Sequence, residues 1–177
     1  VMATFAMSEA LTIILKRNDP TAAAKQVSLT ELGSIKIDKE ERAKMLKTIP
    51  RTSIIGFLIG VLPGAGATIA SFLAYGMERN LVNDKEKEKF GKGSVHGLAA
   101  PETANNAACS GAFVPLLTLG IPGSGTTAVM LGALLGFGIQ PGPRLYMTNP
   151  EIFWSVIMSM YIGMVVLLIL NLPLIPY

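Results

Sequence analysis

The sequence predicts an all-α polytopic membrane protein whose helices are broken or re-entrant. Three observations lead there. Half of the 177 residues are hydrophobic, mean hydropathy is +0.48, and only 15% are charged, against about 25% in soluble domains. The charges are also clustered, since Ile54–Met77, Thr103–Pro143 and Ile152–Tyr177 carry none. A charge-free apolar run of about 18 residues or more reads as membrane-embedded. Finally, Pro-Gly pairs interrupt two of the three runs. A soluble enzyme and a nucleic-acid binder are excluded: the net charge of +3 comes from basic residues lying between apolar segments. One cysteine, Cys109, and one histidine, His96, leave no internal disulfide, Cys-rich metal site or His-based triad. The chain opens at Val1 inside an apolar stretch without a basic n-region, unlike a signal peptide, and reads as part of a larger membrane protein.

Four segments follow in order. Residues 1–15 read as the end of a membrane helix, with Phe5, Leu11, Ile14 and Leu15 on one face. Residues 16–53 form a polar connector with nine Lys or Arg against five Asp or Glu, which the positive-inside rule places in the cytoplasm. Asp38–Lys47 has helical character, and Glu40 and Lys44 form a favourable i,i+4 pair. Residues 54–143 are the core. Here Ile54–Met77 should break at Pro63, Gly64 and Gly66 into two halves of about nine residues each. Glu78–Gly93 reads as a charged, solvated loop. A helix from about Ala99 to Leu119 is followed by a break at Ile121-Pro122-Gly123 and a second helix over Thr126–Ile139, ended by Gln140-Pro141-Gly142-Pro143. Residues 144–177 hold the cleanest span, Ile152–Ile175, with Trp154 and Tyr177 suited to the interfacial belt.

The two breaks match. Leu62-Pro63-Gly64-Ala65-Gly66-Ala67-Thr68 and Ile121-Pro122-Gly123-Ser124-Gly125-Thr126-Thr127 share the pattern aliphatic-Pro-Gly-small-Gly-small-Thr. Irregular backbone survives at membrane depth only inside protein or beside a wet cavity. Matching Gly/Pro interruptions are therefore a pointer to a transporter binding site. The freed amides at the start of each second half-helix make an anion site. The freed carbonyls can coordinate a cation such as Na⁺. The candidate residues are Pro63, Gly64, Ala65, Gly66, Ala67 and Thr68 in the first break and Gly123, Ser124, Gly125, Thr126 and Thr127 in the second. No Lys follows either glycine pair, so a P-loop is excluded.

A second constellation is Ala100-Pro101-Glu102-Thr103-Ala104-Asn105-Asn106-Ala107-Ala108-Cys109. Pro101 and Glu102 suit a first helical turn. Asn105 and Asn106 in an otherwise apolar helix are costly unless paired, and intramembrane polar groups are functional candidates. Glu102 is a further candidate. Cys109 reads as a packing residue, and His96 as a loop or interface residue just before the helix.

Taken together, Gly60-Val61-Leu62-Pro63-Gly64-Ala65-Gly66-Ala67-Thr68, Phe90-Gly91-Lys92-Gly93, Ala100-Pro101-Glu102 with Asn105-Asn106, Gly120-Ile121-Pro122-Gly123-Ser124 and Gln140-Pro141-Gly142-Pro143 resemble the large, TctA-type membrane subunit of the tripartite tricarboxylate transporter family. The resemblance is strongest over residues 54–145. Gly125 and Thr103 stand where alanine is common in relatives. The resemblance implies one half, the later one, of an inverted-repeat secondary transporter in the bacterial inner membrane. It implies two protein partners, a small membrane subunit and a periplasmic carboxylate-binding protein. It also implies a carboxylate substrate such as citrate, coupling to Na⁺ or H⁺, and no cofactor beyond a bound Na⁺. A passive channel and a structural scaffold subunit are the alternatives. An intramembrane enzyme lacks a His-based pair or a Gly-x-Ser-x-Gly elbow.

Overall fold

The structure, a computed structural model, describes residues 37–174. The expected membrane-helix end over residues 1–15 and the connector up to residue 36 lie outside the described residues. Ile37–Leu172 cluster as one compact unit, and the regular elements in residues 37–174 are all helical.

Helix α1, Lys39–Val61, starts at an Asp38 cap, and Glu41 reaches back to accept from the Asp38 N–H at 3.3 Å. It runs past Pro50 and through residue 53 without interruption, so the charged and charge-free stretches share one helix. Helix α2, Gly66–Leu81, follows a four-residue break. The break falls where the Pro-Gly pair predicts it, but both halves exceed nine residues because each continues into charged sequence. Glu78 and Arg79 therefore belong to α2 and not to a loop. A single turn, α3, Asp84–Lys87, is capped by Asn83.

Helix α4, Val95–Gly111, begins at Ser94, whose hydroxyl accepts from Gly97 N–H at 3.1 Å. Pro101 and Glu102 consequently lie in the second turn, and the expected start near residue 100 is displaced because Ser94 is the better cap. The helix expected to reach Leu119 bends at Ala112 into a short α5, Phe113–Leu119. Helix α6, Gly125–Gly136, follows the second break, and α7, Leu145–Thr148, is one turn. Helix α8 spans Pro150–Leu174. Its stretch Pro150–Asn171 is the one helix among the described residues long and apolar enough to cross a membrane, and none of it is buried.

Helices α1, α2 and α4 form the packed unit, and α1 against α4 is its largest interface. Each contributes a stripe at four-residue steps: Thr48, Thr52, Gly56 and Gly60 from α1; Ala70, Ala74 and Glu78 from α2; His96, Ala100, Ala104 and Ala108 from α4. Thr48 meets His96, and a Cβ placed on Gly56 or Gly60 would lie 2.6 Å from the Cα of Ala104 or Ala108. Each pair is separated by the same 48 residues, so α1 and α4 run parallel in one register. Close backbone approach through small residues is how helices associate where lipid removes the hydrophobic drive.

Candidate functional site

The first break occupies Leu62–Ala65. The Leu62 N–H donates to the Ile59 carbonyl at 3.1 Å, and Ala65 N–H donates to Leu62 at 3.2 Å. Gly64 and Gly66 have φ of 83° and 67°, left-handed values that favour glycine. Ala65 stands at the N-cap with no side-chain acceptor. The first amides of α2 therefore start uncapped, with the positive end of the helix dipole behind them.

The second break opens at Gly120, with φ of 71°. Gly142 N–H donates to Leu117 at 3.2 Å, and the Pro141 carbonyl sits where a Gly120 Cβ would point, 2.7 Å away. The loop Gln140–Pro143 thus folds back onto the break. Ser124 then caps α6: its hydroxyl accepts from Thr127 N–H at 3.3 Å, and Thr127 Oγ1 accepts from Ser124 N–H at 2.8 Å. Thr127 also donates to the Ser124 carbonyl at 2.9 Å and is buried. Its hydroxyl is committed to the cap. Gly125 and Thr126, both exposed, keep first-turn amides without intrahelical acceptors.

The breaks converge on one end of the packed unit. A Cβ on Gly123 would lie 3.2 Å from Ala112 Cβ and 3.5 Å from the Gly60 carbonyl oxygen. Gly60 stands in the last turn of α1, which leads directly into Leu62–Ala65.

Asn105 and Asn106 diverge. The Asn105 amide donates to Ser71 Oγ at 3.4 Å, facing α2, and Ser71 in turn donates to the Pro101 carbonyl at 3.2 Å. Cys109, exposed and free, approaches Asn105 Oδ1 at 3.9 Å. Asn106 donates to the Glu102 carbonyl at 2.9 Å and lines a cleft of about 380 Å³ in which Ser53, Glu102, Thr103 and Ser110 stand beside Ala107 and Met164. Glu102 is exposed and forms no ion pair among the described residues.

The opposite end holds a group not foreseen as a unit. Glu78 is fully buried and accepts from Arg51 Nε at 3.1 Å, from Arg51 Nη2 at 2.6 Å on both oxygens, and from Thr48 Oγ1 at 2.8 Å. His96 Nδ1 lies 3.0 Å from Glu78 Oε1 and 2.8 Å from Thr48 Oγ1. His96 is therefore a buried residue in the first turn of α4, not a loop residue. Burial pushes the Glu78 carboxyl up, but the hydrogen bonds from Arg51 and Thr48, the Arg51 charge and the His96 hydrogen bond together outweigh it and hold the group below its ordinary range. Alongside, Lys89 and Lys44 hold Glu86 down, and Lys44 is held up by Glu40 and Glu86. The signal for this cluster is the four-residue step itself, which carries Gly60 back to Thr48, Ala70 on to Glu78 and Ala108 back to His96.

Comparison with known proteins bears on the break motifs. The family model described as "Tripartite tricarboxylate transporter TctA family" matches residues 1–177. The chain is 43% identical over 159 residues to an "Uncharacterized 52.8 kDa protein in TAR-I ttuC' 3'region" of Agrobacterium vitis, a match covering 90% of this chain and 31% of that protein. It is 51% identical over 120 residues to an "Uncharacterized protein in TAR-II ttuC' 3'region" of the same organism, covering 68% of this chain and 49% of that protein. The chain thus spans 31% and 49% of the lengths of these two relatives. No solved structure matches. With the family model matched from end to end and both breaks formed as the motif string implies, the chain belongs to the tripartite tricarboxylate transporter TctA family, a family of membrane transporter components and not of enzymes.

Proposed function

We propose that this chain is part of the multi-pass inner-membrane subunit of a binding-protein-dependent secondary transporter that imports tricarboxylates or related carboxylates, coupled to Na⁺ or H⁺. Its partners in that reading are a periplasmic carboxylate-binding protein and a small membrane subunit. The observation that carries it is the packing of the second break, at Gly123, against Gly60 in the last turn of the helix that leads into the first break. Of the helix starts that follow the breaks, the one at Gly66 has no side-chain cap, and the other leaves the Gly125 and Thr126 amides free. A substrate carboxylate accepting from such amides, with the dipoles of α2 and α6 behind them, is held without a fixed positive charge. Asn105, held by Ser71, adds a neutral donor on the face towards α2, and the Glu102–Asn106 cleft offers oxygens to a cation. An anion bound this way is released when the amides move, which alternating access requires.

The test exploits the geometry of Gly125. It occupies the first position of α6 with open space where a side chain would go, and Ser124 before it is extended at φ −154° and ψ 168°. Proline is tolerated at such a position and after such a residue. Gly125→Pro removes one free N–H, and Gly125→Ala keeps it. A hydrogen bond to a charged partner contributes about 1.5–3 kcal/mol. In proteoliposomes holding the natural protein and its two partners, Gly125→Pro should raise the KM for citrate or a related carboxylate roughly 10- to 100-fold over Gly125→Ala. Equal KM values for the two variants would remove the amide site.

A further inference from the structure

The two charged stretches that flank the first break meet each other. Arg51 Nη2 on α1 lies 2.6 Å from Glu78 Oε2 on α2, and Thr48 Oγ1 donates to Glu78 Oε1 at 2.8 Å. Farther out, Lys44 Nζ on α1 lies 3.1 Å from Glu86 Oε1 on α3. In one continuous helix the 27 steps from Arg51 to Glu78 would hold these side chains about 40 Å apart. The chain instead doubles back at Leu62–Ala65, and α1 and α2 run antiparallel with their outer ends together. The break sits at the centre of this pairing, since Thr48 stands 14 residues before Leu62 and Glu78 stands 13 after Ala65.

The lengths set how deep such a hairpin reaches. Between Arg51 and the break, Thr52–Val61 supplies ten uncharged residues, about 15 Å of helix. Between the break and Glu78, Gly66–Met77 supplies twelve, about 18 Å. The hydrocarbon core is about 30 Å thick, and a span takes about 20 residues, so each limb crosses half of it. Both limbs carry apolar surface suited to lipid tails: Ile54, Leu58, Phe72 and Leu73 are each more than half exposed. The ten Lys and Arg of residues 37–102 all lie before Thr52 or after Met77. Helix α4 starts at the same end, because His96 Nδ1 lies 3.0 Å from Glu78 Oε1.

We propose that Thr52–Met77 is a re-entrant hairpin. Helices α1 and α2 enter and leave the bilayer by one face, the face that carries the ten basic residues, and Leu62–Ala65 turns near mid-depth. Helix α4 then enters from that face again, beside α1. The positive-inside rule makes that face the cytoplasmic one. Pro63 and Gly64 are exposed at the turn, and irregular backbone at that depth lies against protein or water. The midplane is also where transporter sites form. The hairpin rests on the membrane family and on these contacts, so it holds or fails apart from any carboxylate or coupling ion.

The test is labelling of single cysteines with a membrane-impermeant maleimide. The natural full-length protein, with its native cysteines replaced (Cys109→Ser among them), carries Arg42→Cys before the hairpin or Lys85→Cys after it; both side chains are exposed. Sealed vesicles of the two orientations are labelled, and detergent-solubilised protein is the control for full reaction. Both positions should be labelled in inside-out vesicles and protected in right-side-out ones. Labelling of either position in right-side-out vesicles overturns the proposal, and so does a position that reacts only after detergent. A hairpin that crossed the whole bilayer and returned would label in the same way, so depth is read separately. A bimane attached at Ala65→Cys should be quenched more by lipids with a nitroxide deep in the acyl chain than by lipids with one at the headgroup. The reverse order puts the turn at a membrane surface and overturns the half-depth hairpin.

Discussion

Gly60→Ala should destabilise the protein, although alanine is the better helix former. A Cβ at Gly60 meets the Ala108 backbone, with Cα at 2.6 Å and C at 2.8 Å. Ordinary contact begins at 3.4 Å and the Ala108 carbonyl oxygen is nearer still, so the axes of α1 and α4 must separate by at least about 0.8 Å. No rotamer change relieves this, because both sides of the contact are backbone or its first carbon. Overpacking costs about 1–3 kcal/mol, and a backbone clash belongs at the upper end. Against this stands a gain of about 0.5–1 kcal/mol from glycine to alanine in a helix interior. The net expectation is a loss of about 2 kcal/mol, or a Tm lower by about 4–8 °C for a chain of this size. Gly132→Ala is the control, since α6 leaves open space there and only the helical gain remains. Thermal unfolding in detergent, followed at the helical circular-dichroism band, measures both. If Gly60→Ala were as stable as Gly132→Ala, the seam between α1 and α4 would not exist as described.

Two further perturbations address the charged end. Arg51→Ala strands a carboxylate that is fully buried; losing one partner of a fully buried pair costs about 3–5 kcal/mol, and here the loss falls below that range because the Arg51 side chain is itself 38% exposed and Thr48 still donates to Glu78. Adding Glu78→Gln to Arg51→Ala should recover most of that loss in the same unfolding assay, and a double variant no better than the single would place the stabilisation elsewhere. The pH dependence follows from the lowered carboxyls. Glu78 and Glu86 sit below their ordinary 4.5 when folded, so their stabilisation is complete above that value and is lost as pH falls through the folded pKa. Chemical unfolding from pH 7 down to about pH 3 should show stability declining below about 4.5 in wild type and more weakly in Glu78→Gln.

Much of the architecture could be read from pattern alone. Pro63-Gly64 and Gly120 with Pro122 announce both breaks, because proline removes a donor and Gly64 and Gly120 take left-handed φ, and neither effect depends on tertiary contacts. The ends of α1 and α2 resisted reading for the opposite reason. Charge-free segments mark where a chain meets lipid, not where hydrogen bonding stops, and α1 carries its helix across Arg51 and Ser53 into apolar sequence. Ser94, with a hydroxyl free to accept from Gly97, caps α4 about two turns before Pro101, whose missing N–H a long helix tolerates there. Thr127 looked like a ligand by motif, but its neighbour Ser124 lies at the right spacing to engage it in a reciprocal cap. Glu78 was hidden by its company, since it begins a charged stretch in sequence yet continues the Ala70–Ala74 stripe in space.

That stripe accounts for the division of the unit into two ends. Twelve residues of α1 separate Thr48 from Gly60, about 18 Å at 1.5 Å per residue. Over this length α1 and α4 keep one register, with small residues at the middle and one closing group at each end. At one end the stripes finish in Thr48, Glu78 and His96, where hydrogen bonds cross all three helices. At the other end they finish in Gly60 and Gly111, where α1 runs into irregular backbone, α4 bends, and Gly123 of the second break packs on Gly60 and Ala112. Seams made of backbone contacts resist shear because there is no side chain to repack. Motion in such a unit is therefore confined to Leu62–Ala65, to the bend at Ala112 and to Gly120–Gly123, the places where regular hydrogen bonding stops. The three packed helices are expected to keep their arrangement, so that any displacement of the Gly125 helix start relative to the Gly66 start is taken up at the Ala112 bend and at Gly120–Gly123.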